Sequence, residues 1–80
     1  MSAHRVTLLV RESCHSCVEA EADVRRICHE LDVPWSAVDV DTDLELRGEY
    51  GDRVPVILID DVEHGYWRVE EPRFRAALAR

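Results

Sequence analysis

Residues 6–17 read VTLLVRESCHSC. Val6 to Val10 is an unbroken apolar run rich in branched side chains, which suits a strand covered on both faces better than one facing water. It predicts a central strand. Beyond the cysteines, apolar positions at Cys17, Ala20, Val24, Ile27, Cys28 and Leu31 step by three and four and keep one helical face inward. Glu19, Glu21, Arg25, Arg26, His29 and Glu30 fall on the other face. Pro34 is expected to end the helix, because proline disfavours helix in the residue before it and has no amide donor.

The remainder of the chain supplies three more strands and two more helices. Trp35 to Val40 reads as a second strand, with Val38 and Val40 alternating against Asp39 and Asp41. Thr42-Asp43-Leu44-Glu45 has the spacing of a capping box with Thr42 as the cap, opening a short helix to about Tyr50 that Gly51 closes. Pro55 to Ile59 is a third strand, Asp60-Asp61 a tight turn lacking the usual glycine, and Val62 to Val69 a fourth strand. Glu70 to Arg80 forms a last helix, with Glu71 and Pro72 in its first turn and Phe74, Ala77 and Leu78 facing inward. A right-handed crossover makes the first two strands parallel, and the closing hairpin sets one of its strands against the first. The expected class is α/β: a four-stranded mixed sheet in the order β-α-β-α-β-β-α, flanked by helices, forming one domain over residues 1–80.

This order puts Cys14 and Cys17 where a central strand ends and a helix begins. Unpaired amides and the helix dipole there favour negative charge, so a thiolate on Cys14 is stabilised, and the thiolate is the attacking form. Cys17, one turn further in, is close enough to attack a mixed disulfide formed on Cys14. Arg11 could add positive charge. His15 could tune the thiolate when protonated or could be a solvated loop residue. Two other readings of the pair stand beside redox chemistry: buried small residues, or half of a metal site. For a metal, the remaining candidates are Cys28, His29, His15, His4 and His64, but no second pair has ligand spacing. Cys28 falls on the apolar helical face as a core filler, and His4, His29 and His64 read as surface residues. Trp35, Tyr66 and Trp67 are open to either role, packing or site.

Composition narrows the partners. The 80 residues carry a formal charge of −7, and all ten basic residues are arginine, scattered among acids. Nucleic acid binding needs a basic stripe and is not expected. The first apolar run is too short for a signal peptide and no stretch reaches the length of a membrane span, so a cytoplasmic protein without membrane attachment is expected. In that compartment Cys-x-x-Cys points to redox chemistry or metal before a structural staple.

As a set, Arg11-x-x-Cys14-x-x-Cys17 after the first strand, Val54-Pro55 before the third and the Asp60-Asp61 hairpin before the last helix resemble the glutaredoxins, and more closely the short glutaredoxin-related proteins of the thioredoxin superfamily. The resemblance spans nearly the whole chain. It implies a thioredoxin-like fold and a thiol-disulfide oxidoreductase with Cys14 as nucleophile and Cys17 as resolving thiol. It also implies a cis Val54-Pro55 bond beside the dithiol, with the Val54 backbone pairing to glutathione or to an extended peptide. Arg11 stands where glutaredoxins usually carry a lysine that contacts the glycyl carboxylate of glutathione. Two features depart from that pattern: His15-Ser16 replaces Pro-Tyr, and Glu63-His64-Gly65-Tyr66-Trp67-Arg68 replaces a glycine pair followed by an acid.

The expected partners are disulfide-containing proteins or glutathione adducts, with no bound cofactor and glutathione as a co-substrate. A flavoprotein reductase in its place is the alternative electron source. The competing class is a noncatalytic module of the same fold whose cysteines hold a metal or an iron-sulfur cluster.

Overall fold

The computed structural model describes residues 3–80. Strand β1 (Val6–Val10) leads to helix α1 (His15–Leu31), strand β2 (Trp35–Asp39), a single 3-10 turn (Val40–Thr42), helix α2 (Leu44–Tyr50), the hairpin strands β3 (Val56–Ile59) and β4 (Val62–Tyr66), and helix α3 (Glu71–Leu78). The sheet order is β2-β1-β3-β4, with β1 parallel to β2 and antiparallel to β3.

The unbroken apolar run of β1 is explained by its two covered faces. Val6 and Leu8 point into one core with Val24, Ile27 and Cys28 of α1, Ile57 of β3 and Phe74 and Leu78 of α3. Leu9 points the other way, to Val40, Val56 and Leu58, where Leu46 and Tyr50 of α2 cover them. Helices α1 and α3 therefore lie on one face of the sheet and α2 on the other. Cys28 is fully buried, as its place on the apolar stripe of α1 requires.

Several boundaries differ from the sequence expectations, each for a local reason. Helix α1 stops before Pro34 acts: Asp32 takes a left-handed conformation at φ 58°, and its amide donates back to the Cys28 and His29 carbonyls. Leu31 consequently sits at the rim, 38% exposed, instead of facing inward. Val40 leaves the strand for the 3-10 turn while remaining buried. The cap of α2 is Asp43, not Thr42: Asp43 Oδ1 accepts from the amides of Glu45 and Leu46, while Thr42 Oγ1 donates to the Asp39 carbonyl.

Gly51 closes α2 as expected, in a right-handed conformation with φ and ψ of −54° and −31°. Its lack of a side chain serves close approach, because a Cβ there would come within 2.5 Å of the Arg47 carbonyl oxygen. The hairpin turn works without glycine because Asp60 and Asp61 both adopt positive φ, at 54° and 68°. Aspartate tolerates that region better than most residues. Arg5 secures the turn by pairing with Asp61 at 2.9 Å and donating its amide to Asp60. Strand β4 ends at Tyr66 rather than Val69, with Trp67 turning away at φ 74°. A register shift between Ile57 and Leu58 leaves His64 as the extra residue of a bulge. In α3, Phe74 and Leu78 are buried as expected, while Ala77 is half-buried.

Candidate active site

Cys14 caps α1 from an extended conformation, and Ser13 before it takes φ 57°. Together they turn the chain from the end of β1 into the helix, so that Cys14 stands at the helix mouth and Cys17 inside its first turn. The two are joined by a disulfide, with their Cα atoms 5.2 Å apart. The Cys17 amide donates to Cys14 Sγ at 3.1 Å. Cys14 is half-buried, whereas Cys17 is 3% exposed. One sulfur is thus open to a partner and the other is reached only through it.

The pair opens onto a groove of about 630 Å³ that Arg11, Glu12, His15, Val18, Glu21 and Arg25 help to line. Arg11 is half-buried and already engaged: Nε donates to Asp41 Oδ2 at 3.1 Å, Nη2 lies 3.1 Å from Asp41 Oδ1, and Nη1 donates to the Gly51 carbonyl at 3.3 Å. His15 points outward, its side chain 89% exposed and 3.3 Å from Glu19 one turn along the helix. Arg25 pairs with Glu21 at 2.9 Å and lies over the Trp35 ring. Arg11, Cys14, His15 and Cys17 therefore line one groove.

Val54 and Pro55 do not line that groove, but the sheet carries them to the same end. Leu9 pairs with Val56, and Val56 with Tyr66, so the exit of β1, the entry of β3 and the exit of β4 share one rim. The Val54-Pro55 peptide bond is cis, Val54 is half-buried and Pro55 is buried. The Pro55 carbonyl accepts from the Trp67 amide at 2.7 Å. Asp41 and Gly51, which hold Arg11, were not anticipated from sequence. They lie 30 and 40 positions away from it, so only the tertiary fold reveals the contact.

Elsewhere the histidines depart from the surface reading. His4 keeps only 19% of its side chain exposed and pairs with Asp60 at 2.6 Å, which raises its pKa. His64 is half-buried against Phe74, and that burial, with the Arg73 charge, lowers its pKa. Only His29 is exposed among these three. Among the described residues, no three His, Cys, Asp or Glu side chains cluster as a metal site would need, and no helix is long and apolar enough to cross a membrane.

Comparison with known proteins agrees with this architecture. Uncharacterized proteins of Mycobacterium tuberculosis and Mycobacterium bovis are 41% identical over 85 aligned positions, covering 100% of this chain and 88% of theirs. The solution structure of protein Ne2328 from Nitrosomonas europaea superposes with a TM-score of 0.84 at 25% identity, covering 98% of this chain and 94% of that one. Protein XcR50 from X. campestris gives 0.74 at 31% identity, with coverages of 92% and 95%. Thioredoxin from Fasciola hepatica shares the fold, at a TM-score of 0.69, 22% identity and coverages of 96% and 79%. The family model of the Glutaredoxin-like domain (DUF836) matches residues 5–79, and the chain belongs to that family of thioredoxin-fold proteins.

Proposed function

We propose that the protein is a thiol-disulfide oxidoreductase acting on protein disulfides or glutathione mixed disulfides. The observation that carries this reading is the asymmetry of the pair: Cys14 is accessible at a helix N-terminus and receives the Cys17 amide, while Cys17 is buried one turn inside. Helix dipole and amide donation favour the thiolate of whichever sulfur stands at the mouth.

In the reducing direction, the Cys14 thiolate attacks one sulfur of the substrate disulfide. That S–S bond breaks, and the departing sulfur leaves as a thiolate that takes a proton from water. Cys17, deprotonated in turn, attacks Cys14 Sγ, releasing the second substrate thiol and closing the intramolecular disulfide. Two electrons have passed to the substrate. An external thiol such as glutathione, or a flavoprotein reductase, returns them.

The test is turnover of a glutathione mixed disulfide with glutathione, its reductase and NADPH, comparing the native protein with Cys14→Ser and Cys17→Ser. Loss of exchange in Cys14→Ser is expected, and so is a mixed disulfide on Cys14 of Cys17→Ser that persists when glutathione is withheld, seen by mass spectrometry. Exchange that persists without Cys14 would refute the assignment. A coloured, metal-bearing protein inactive on every disulfide would favour a binding module instead.

A further inference from the structure

The rim that holds the dithiol also holds an aromatic pair that the fold leaves uncovered. Trp67 is 61% exposed and Tyr66 46% exposed, meeting edge to face with ring centres 5.0 Å apart. Two constraints aim them. The Trp67 amide is fastened to the Pro55 carbonyl, and its positive φ, a conformation that bulky residues seldom adopt, swings the indole clear of the strand line. The Arg53 guanidinium lies over the rings of Tyr50 and Tyr66, 5.5 and 5.8 Å from their centres, and pairs with Glu63 at 3.2 Å. Tyr66 is thus steadied by a cation over its ring and Trp67 by Tyr66, while both remain exposed. An exposed tryptophan held in this way is a common anchor of protein recognition.

Distance and charge select the occupant. With strands about 4.8 Å apart, Tyr66 lies roughly 10 Å from the line of β1, across β3. An extended chain advances about 3.3 Å per residue, so a substrate cysteine at Cys14 places a residue about three positions away near the indole. A tripeptide with a central cysteine has only one residue on either side. Glutathione also brings two carboxylates, yet both guanidiniums lining the groove are already paired, Arg11 with Asp41 and Arg25 with Glu21. Arg68, exposed beside Trp67, instead favours an acidic residue in a passing segment.

We infer that Trp67, supported by Tyr66, is a docking platform for an apolar side chain of an extended, disulfide-bearing segment of another protein. This deepens the thiol-disulfide reading above and rests on it.

The experiment compares kcat/KM of the native protein on three probes: hydroxyethyl disulfide, an alanine-rich peptide whose single cysteine is capped by 2-mercaptoethanol, and the same peptide with Leu placed in turn two, three and four residues to either side of the cysteine. The best leucine peptide is expected to exceed the alanine peptide about tenfold, the scale of a good aromatic contact together with apolar burial. That ratio should collapse towards one in Trp67→Ala and survive in part in Trp67→Phe. A native ratio near one, or a ratio that persists in Trp67→Ala, overturns the platform. Turnover of hydroxyethyl disulfide with a ratio near one removes the platform alone. Failure on all three probes removes the thiol-disulfide reading, and the platform with it.

Discussion

Arg11 and Asp41 meet as a two-pronged fork, with Nε and Nη2 of the arginine each 3.1 Å from a carboxylate oxygen. The third nitrogen reaches the Gly51 carbonyl. The only arginine between β1 and Cys14 is therefore neutralised from within. Asp41→Asn should uncover it, so that exchange with an anionic disulfide accelerates relative to a neutral one. The gain should fade with added salt, which screens exposed charges. Each side chain is 37% exposed, so the lost pair itself should cost only about 0.5 kcal/mol. An anionic-to-neutral rate ratio identical in both proteins would show that Arg11 does not act on incoming charge.

Cys28 carries a thiol that redox chemistry should leave alone. It is fully buried, and that burial pushes its pKa up to about 11. In the reduced native protein, iodoacetamide at pH 8 should label Cys14 rapidly and Cys28 only after unfolding, with peptide mapping as the readout. Labelling of Cys28 at the rate of Cys14 would contradict the burial.

The start of α2 offers a direct comparison of neighbouring residues. Asp43 accepts from two amides, whereas Thr42 holds only the Asp39 carbonyl. Asp43→Ala should cost about 1 kcal/mol in urea unfolding, the usual value of an N-cap, and Thr42→Ala less. The reverse order would return the cap to Thr42.

His4 and Asp60 form a pair whose contribution depends on pH from both sides. The hydrogen bond to Asp60 raises the His4 pKa above 6.5, so the stability it contributes is complete below 6.5 and is lost as pH rises through the folded value. The same hydrogen bond lowers the Asp60 pKa below 3.8, so its contribution is present above 3.8 and is lost as pH falls through the folded value. His4→Gln should therefore lower Tm more at pH 5.5 than at pH 9. An equal loss at the two values would remove the charge from the account.

The sequence displayed what depends on repetition along the chain. VTLLV identified itself as a two-faced central strand because it carries branched aliphatic residues on both faces and no charge, and the three-and-four spacing from Cys17 to Cys28 marked the buried stripe of α1. Cys14 and Cys17 were legible because their chemistry depends on a local junction. Asp32, Asp60, Asp61 and Trp67 were not, because residues other than glycine adopt positive φ only occasionally and neither an aspartate nor a tryptophan announces it in the sequence. The capture of Arg11 by Asp41 was hidden for a similar reason. The two residues meet only after α1 has crossed from β1 to β2, and nothing in either neighbourhood specifies the other.

His4 holds Asp60 with one ring nitrogen and the Arg80 carbonyl with the other, so both ends of the described chain gather at the hairpin turn. That corner lies at the end of the sheet remote from Cys14, because Val6 pairs with Ile59 while Leu9 pairs with Val56. A fluorophore, carrier domain or solid support joined through either end would leave from behind the molecule, and the dithiol rim would keep its whole approach open to a partner.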